Sequence, residues 1–280
     1  MSFRLSAWKC VVVFANVAVL LASAGCDRQP APPLSTAAAA EVRPDEDTGK
    51  GPGYTYTIAY PTLDPQWHAL DKAIRESAAV QKKAFLNAST DDRDKSIDYT
   101  LDLNFTVARR TADFVSVITS GSSFIGGAHG MPILASFNLD LADGKLKTLS
   151  DLFADAQTGL QAVSAECRRQ LEGRYEAKLR ADPGSMTPAQ QESDIQSMKR
   201  WIEKGTQPAA ENFDVFLIDG LDTRAIGVTV IFPPYQVAPY ADGPQQVEVP
   251  AKVFYDLLKP EYKDAFAIDT EARKLGTGVR

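Results

Sequence analysis

The sequence has 280 residues, of which 44% are hydrophobic and 24% are charged, a composition typical of a globular protein with a substantial core. Its formal net charge of -6 argues against a nucleic-acid-binding protein, because such proteins present a basic surface to phosphates. The length predicts one large domain or two small ones.

The N-terminal residues 1–25 resemble a secretory signal peptide. Arg4 and Lys9 precede an apolar run at 11–22, which is too short to span a bilayer and has the length of a signal-peptide core. The stretch ASAGC then resembles a bacterial lipoprotein signal, which predicts lipidation of Cys26 and a membrane anchor. The alternative is ordinary cleavage near Ala24, which leaves Cys26 free.

The residues that follow the signal peptide predict a location in the cell and a tether. Asp27 resembles an inner-membrane retention signal, so the inner membrane is favoured over the outer membrane for a protein that faces the periplasm. Residues 26–52 are rich in proline, alanine and charge without an apolar period, which predicts a disordered tether. Within this segment, RPDED is interpreted as solvated.

The predicted N-terminal α+β lobe covers residues 53–142. A helix is predicted from about Asp64, with one apolar face. Alternating residues predict a strand on each side of this helix, and the second strand has one wet face typical of an antiparallel sheet. The predicted strands are 53–61, 97–107, 112–124 and 131–141.

The predicted C-terminal α+β lobe covers residues 143–260, and residues 261–280 are predicted to be a tail. Two helices follow each other, and the second starts at a capping box of Thr187 and Gln190 with a proline between them. The predicted strands here are 213–218, 224–232 and 245–250. Runs of strands and runs of helices predict an α+β fold with antiparallel sheets and packed helices in two lobes.

One of the two histidines lies in the stretch FIGGAHG at 124–130. Its glycines favour positive φ and a connection between two strands. His129 is therefore either part of a turn, a ligand-binding side chain or a catalytic base. The last role requires a nucleophile and an orienting acid, and although Ser122 and Ser123 are close in sequence, no nucleophile-elbow pattern surrounds them.

The other residues of types that can bind a metal or act as a nucleophile are not spaced as in a known metal site or active-site motif. His68 lies on a predicted helix, and Cys167 lies in an apolar stripe where a buried inert thiol is expected. No motif for a metal site or a phosphate-binding loop is present in the sequence. No metal and no cofactor are predicted.

The stretch FPPYQVAPYADGP at 232–244 predicts an irregular segment after a strand, because proline cannot occupy a central strand. Tyr235 and Tyr240 are candidate anchors for a partner, since a tyrosine offers both an apolar ring and a hydroxyl. The alternative is that both rings pack against the sheet and hold the loop. His129, Tyr235 and Tyr240 are therefore the candidate ligand-binding residues.

Three segments in this order resemble one bacterial family: GGAHG before a strand, NLDLADGKLKTLSDLF, and FPPYQVAPYADGPQQVEVP. It is the extracytoplasmic domain of unknown function of RsiV-type, lysozyme-sensing anti-sigma factors and PdaC-type peptidoglycan deacetylases. The resemblance covers about Tyr54 to Leu258 and implies a two-lobed α+β fold. The family pattern includes no catalytic residues, which implies a non-enzymatic protein.

This resemblance implies an envelope lipoprotein that binds a lysozyme-like protein or a peptidoglycan fragment. Two other functions stay open. One is a cell-wall hydrolase, which requires paired carboxylates such as Asp98 and Asp102, both on the wet face of one predicted strand. The other is a structural or assembly lipoprotein that binds a second envelope protein.

Overall fold

The computed structural model describes residues 45–90, 97–221 and 223–268. Two β-sheets and three α-helices form within these ranges. The strands are β1 Asp45–Gly51, β2 Tyr54–Tyr60, β3 Tyr99–Arg110, β4 Phe114–Phe124, β5 Met131–Asp140, β6 Lys145–Lys147, β7 Phe216–Leu221, β8 Arg224–Phe232 and β9 Gln245–Pro250. The α-helices are α1 His68–Thr90, α2 Ala156–Ala181 and α3 Pro188–Gly205.

The first sheet contains six strands in sequence order from β1 to β6. All neighbours are antiparallel except β2 and β3, which pair in parallel. A parallel pair needs a long crossover connection, and α1 supplies it. The α+β class predicted from the sequence is confirmed, although the first sheet is mixed rather than wholly antiparallel.

Helix α1 covers one face of the first sheet. The apolar stripe predicted for this helix is buried, with every member at most 5% exposed: Trp67, Leu70, Ile74, Ala78 and Phe85. The stripe packs against the alternating apolar residues of β3, among which Leu101 and Leu103 are nearly inaccessible. Each such side chain contributes about 1.5–3 kcal/mol on burial, so this contact holds α1 on the sheet.

Strand β1 corrects the predicted tether, because Asp45–Gly51 pairs with β2 along its whole length. The segment has no apolar side chain and was therefore expected to be disordered. Gly49 and Gly51 instead lie under the rings of their cross-strand partners, Tyr56 and Tyr54. Removing these rings from water stabilises a strand whose own sequence offers little to bury.

The charge run that precedes the glycines is also paired rather than simply solvated. Arg75 of α1 lies 2.7 Å from Asp45, and Lys82 lies 2.8 Å from Asp47. The predicted signal peptide at 1–25, Cys26 and the tether up to residue 44 lie outside the described residues. In the part of the chain that the structure describes, no helix is long and apolar enough to cross a membrane.

The second sheet is antiparallel in the order β7–β8–β9 and packs against α2. Asp155 caps α2 by accepting from the Thr158 amide, and the capping box predicted for α3 is present. Cys167 is fully buried on α2, and this burial raises the pKa of its thiol. The expected burial of this thiol is confirmed.

The two sheets meet where β7 crosses the face of the first sheet that lies opposite α1. Ser136 donates to the Asp214 carbonyl and accepts from the Phe216 amide at 2.9 Å. Three apolar residues of the second sheet pack on the same face: Val215, Leu217 and Ile231. Polar side chains of one sheet therefore satisfy backbone groups of the other sheet's edge strand.

Two predicted domain boundaries differ from the structure. Strand β6 pairs with β5, so the first sheet ends at Lys147 rather than at residue 142. Tyr262 and Phe266 are buried in the core of the second sheet, although they were assigned to the tail at 261–280. Tyr262 lies in a short 3-10 turn and Phe266 in an isolated bridge to Ala225, and neither gives a periodic pattern, so the sequence could not reveal this packing. Residues 269–280 lie outside the described part.

Candidate functional site

Two loops and the end of one helix form the candidate site. The loop at 125–130 connects β4 to β5, as the sequence predicts for GGAHG. Gly126 and Gly127 adopt φ values of +95° and +96°, which side chains with a Cβ rarely tolerate. The second loop, at 233–244, connects β8 to β9 and lies beside α3.

The three residues that the sequence singled out lie together at this site. The rings of His129 and Tyr240 are stacked, with centroids 3.9 Å apart and planes inclined by 22°. The Tyr235 and Tyr240 rings are 5.7 Å apart. We call His129, Tyr235 and Tyr240 the aromatic cluster. Ring pairs of this kind contribute about 0.5–1.5 kcal/mol beyond the area that they bury, so the cluster also joins the two loops.

Hydrogen bonds fix the orientation of these rings. The Tyr240 hydroxyl donates to the Gly130 carbonyl at 2.8 Å. His129 Nδ1 lies 3.1 Å from that same carbonyl oxygen, which can only accept, so this contact places a proton on Nδ1. In the neutral ring, Nε2 is then an acceptor that lies 3.5 Å from the Tyr235 hydroxyl.

Tyr235 has an unusual backbone conformation. Its φ is +72°, and no other non-glycine residue in the described ranges has a positive φ. Two backbone contacts hold it there: its amide donates to the Ala238 carbonyl at 2.9 Å, and its carbonyl accepts from Trp201 Nε1 at 3.1 Å. Such strain persists only where surrounding structure maintains it, and it is common at ligand sites.

Gln236 fixes the same loop against α3. Its side-chain amide donates to the carbonyls of Gly205 and Asn212 at 2.9 and 3.0 Å. The backbone of this loop comes so close to α3 that a Cβ at Gly205 would lie 2.1 Å from the Gln236 carbonyl oxygen. A glycine at the end of α3 therefore determines where Tyr235 can lie.

The site exposes apolar side chains. Among the described residues, six large hydrophobic side chains are exposed, and three of these belong to or border the two loops. They are Ile125, Met131 and Tyr235, with exposed fractions of 45%, 53% and 51%. The two loops and their borders therefore carry half of the exposed large hydrophobic side chains of the described residues.

The chemical environment of His129 does not match a catalytic histidine. In the described ranges its polar partners are a carbonyl and a tyrosine hydroxyl, and neither is the carboxylate that orients a catalytic imidazole. Within those ranges no three His, Cys, Asp or Glu side chains are grouped to hold a metal. His68 starts α1 and Cys167 lies in the core on α2.

The sequence analysis missed one polar surface next to this site. The face of the first sheet opposite α1 is lined by hydroxyl, amide and carboxylate side chains, and we call it the polar face. Its members are Thr48, Thr55, Thr57, Thr100, Asp102, Asn104, Thr106, Ser120 and Ser122. Alternation predicted the β3 members, but only the cross-strand register shows that four strands share this face.

Comparisons with known proteins show which parts of the chain resemble a described family. Residues 150–252 match the family described as "Protein of unknown function (DUF3298)". Over 216 residues the chain is 22% identical to the peptidoglycan-N-acetylmuramic acid deacetylase PdaC of Bacillus subtilis (strain 168). That alignment covers 76% of this chain and 41% of the deacetylase, so the chain spans about two fifths of that relative.

Two solved structures of DUF3298 proteins are similar to this chain. A DUF3298 protein from Pseudomonas aeruginosa PAO1 matches with a TM-score of 0.53 and 20% identity, over 77% of this chain and 92% of its own. A second, from Bacteroides fragilis NCTC 9343, has a TM-score of 0.46 and 17% identity, over 78% and 94%. The first likeness supports the α+β fold. The family resemblance drawn from the sequence is confirmed.

Proposed function

We propose that this chain, whose residues 150–252 match DUF3298, is an exported cell-envelope protein that binds a ligand outside the cytoplasm and performs no catalysis. The observation that supports this function best is the aromatic cluster. It joins two loops that are more than 100 residues apart in sequence, and it leaves Tyr235 half exposed in a strained conformation. The interactions that fix these rings also present them to solvent, as a binding site requires.

Binding agrees better with this geometry than catalysis does. A catalytic histidine needs a partner that orients it and a nucleophile within reach. His129 instead stacks on Tyr240 and contacts a backbone carbonyl. Tyr235 offers an exposed ring, and Ile125 in the loop that carries His129 is also exposed, which is the kind of side chain found at recognition sites.

The candidate ligands are a lysozyme-like protein and a peptidoglycan-derived fragment. The net charge of -6 favours association with a basic lysozyme, since opposite charges steer encounter. The similarity to a peptidoglycan deacetylase over 76% of the chain supports a wall-derived ligand and an extracytoplasmic location. Lipidation at Cys26 would hold the domain at a membrane, with Asp27 favouring the inner membrane.

The test is isothermal titration calorimetry of the full-length chain with a c-type lysozyme and, separately, with soluble peptidoglycan fragments at physiological salt. A basic protein of similar size without muramidase activity is the control for attraction by charge alone. We expect micromolar or tighter binding to one ligand and at least tenfold weaker binding by Tyr235→Ala. Equal binding by wild type and Tyr235→Ala, or no binding of either ligand, would contradict the proposal.

A further inference from the structure

The polar face offers hydrogen-bonding groups in a regular array. Thr48, Thr57, Asp102 and Ser122 are aligned across four adjacent strands by the register of the sheet. Neighbouring strands lie about 4.8 Å apart, and alternate residues along a strand lie about 6.6 Å apart. The side chains therefore form a flat grid of donors and acceptors, and all four are exposed.

These polar groups are not used by the described part of the protein. None of the nine side chains of the polar face makes a hydrogen bond or an ion pair within residues 45–90, 97–221 and 223–268. The other half of the same sheet face behaves differently. There, Ser116, Ser136 and Asn138 bond to the backbone of β7. On the half that β7 covers, polar side chains therefore form hydrogen bonds to the partner that lies against them.

The partner on the polar face must differ from the strand on the covered half. Strand β7 is held there partly by apolar contacts, since Ile118 and Leu134 pack against Val215, Leu217 and Ile231. The polar face has no such residues in its interior. Large apolar side chains reach it only at its borders, at Ile118, Phe124 and Leu134. A protein strand would bury little apolar area here, so the surface disfavours a protein ligand.

Charge disfavours an ionic polymer as well. Asp102 is the one ionisable side chain among the nine residues, and the register of β1 places Glu46 and Lys50 beside them on the same side of the sheet. Lys50 thus adds a single cation next to two carboxylates. A polyanion such as a nucleic acid would need several basic contacts to its phosphates. The best chemical match is a neutral chain that has many hydroxyl or amide groups, because hydroxyls, amides and a carboxylate can both donate to and accept from it.

The polar face is continuous with the aromatic cluster. Gly130 lies beside Ser122, since a Cβ at Gly130 would be 3.7 Å from Ser122 Cβ and 3.8 Å from its Oγ. The Gly130 carbonyl in turn accepts from Tyr240 and contacts His129. A ligand that extends from the aromatic rings across the sheet therefore meets hydrogen-bonding groups along its path.

We infer that a neutral polysaccharide strand binds across the polar face, with one end of the bound segment against the aromatic cluster. This inference rests on the proposed binding function and assigns its ligand to the glycan class rather than to a protein. Sugar rings present hydroxyl groups at their edges for the grid and apolar faces for Tyr235. A peptidoglycan glycan and another polysaccharide share this chemistry, and the probes below distinguish them.

The test measures binding of the full-length chain to three probes: insoluble peptidoglycan sacculi by pelleting, and N-acetylglucosamine hexamer and cellohexaose by calorimetry. The test variant is the double substitution Asp102→Ala and Asn104→Ala, which removes two unpaired polar groups from β3. Asp256→Ala is the matched control, because it removes an exposed carboxylate without a hydrogen-bond partner in the described chain. Thr57→Arg is an independent variant that blocks the face from β2.

We expect at least one probe to bind, with an affinity at least tenfold weaker for the double variant and for Thr57→Arg, and unchanged for Asp256→Ala. Preference for sacculi and the N-acetylglucosamine hexamer identifies a wall glycan, and preference for cellohexaose identifies a sugar without amides. Unchanged binding by both face variants, or no binding of any probe, overturns the inference. If the glycan inference fails but lysozyme still binds in a way that depends on Tyr235, the proposed function is still supported. Failure of the inference can therefore be distinguished from failure of the proposed function.

Discussion

The side-chain amide of Asn138 on β5 donates a hydrogen bond of 3.0 Å to the Phe216 carbonyl on β7, which joins the two sheets. Asn138 also accepts from the Ser116 hydroxyl at 2.5 Å, and Ser116 in turn accepts from the Ile218 amide at 3.1 Å. These contacts satisfy backbone groups along the free edge of β7. An edge strand that would otherwise be open to pairing with another chain is thereby closed.

Replacing Asn138 with alanine is expected to destabilise the protein, because Asn138 is 1% exposed and its loss leaves buried polar groups of Phe216 and Ser116 without partners. We expect the free energy of unfolding to fall by about 2–3 kcal/mol, the cost of such unsatisfied groups. Urea unfolding measures this change. Ser122→Ala on the exposed part of the same sheet face is the control and should stay within about 0.5 kcal/mol of wild type. Equal stability of Asn138→Ala and wild type would contradict the role assigned to this contact.

Gly205→Ala is expected to displace the loop that presents Tyr235. The added Cβ would lie 2.1 Å from the Gln236 carbonyl oxygen, so the loop or the end of α3 must move. Tryptophan fluorescence reports this movement, because the indole of Trp201, one of three tryptophans, donates to the Tyr235 carbonyl. We expect an altered emission spectrum together with a lower unfolding midpoint.

Gly173→Ala is the matched control for that substitution. Gly173 lies within α2, and a Cβ there meets no atom within 4 Å. This change should stabilise the protein by about 0.5–1 kcal/mol, since alanine favours a helix over glycine. If both variants gave the same spectrum as wild type, the close approach at Gly205 would not determine the position of the loop.

Tyr175 predicts a pH dependence of stability at alkaline pH. Its hydroxyl donates to Asp194 at 2.6 Å between α2 and α3, and burial together with this bond raises the pKa of Tyr175 from 10.0 to about 12. The folded state therefore retains the phenol proton more tightly than the unfolded chain. Its stabilising effect is fully present below pH 10.0 and is lost as the pH rises towards about 12.

The measurement is the difference in free energy of unfolding between wild type and Tyr175→Phe at several pH values. We expect wild type to be more stable by about 1 kcal/mol at neutral pH and this advantage to disappear between pH 10.0 and about 12. Comparison with Tyr175→Phe removes the effects of other groups that titrate in this range. A difference that is constant over the whole pH range would contradict the prediction.

Phe266→Ala tests whether the chain beyond residue 260 is part of the fold. Phe266 is fully buried and its ring lies 5.7 Å from that of Phe254 and 5.9 Å from that of Phe114. Loss of a buried phenylalanine is expected to cost about 3–5 kcal/mol in thermal or chemical unfolding. Ile268→Ala, at a position that is 52% exposed, is the control and should have little effect.

The sequence predicts most elements of the fold because their burial follows simple periods. Strand β3 alternates between buried and wet residues, and the buried stripe of α1 recurs every three or four residues. The parallel pairing of β2 with β3 was not predictable, since a half-buried strand alternates in the same way in either orientation. Strand β1 was missed because its order comes from the rings of Tyr54 and Tyr56 on the next strand.

The residues of the candidate site could be predicted from the sequence, but their contacts in space could not. The sequence predicts His129 as a candidate because it is a histidine among glycines. It predicts Tyr235 and Tyr240 because they are tyrosines among prolines. Tyr235 contacts His129 across 106 positions, and Tyr240 bonds to Gly130 across 110 positions. Contacts this distant in sequence depend on how the two sheets pack. The polar face was missed for the same reason, because its continuity depends on the register of four strands.

The place of β1 at the edge of the first sheet has a mechanical consequence. Among the described residues, a load from the N-terminal side meets Asp45 first, where β1 is bonded to α1 through Arg75. Because β1 pairs on one side only, tension on it is resisted by a single ladder of hydrogen bonds and by the tyrosine rings over Gly49 and Gly51. Because β1 also carries Thr48 of the polar face, tension that detaches β1 would remove this border of the surface first and would leave the aromatic cluster, which lies on loops between other strands, in place.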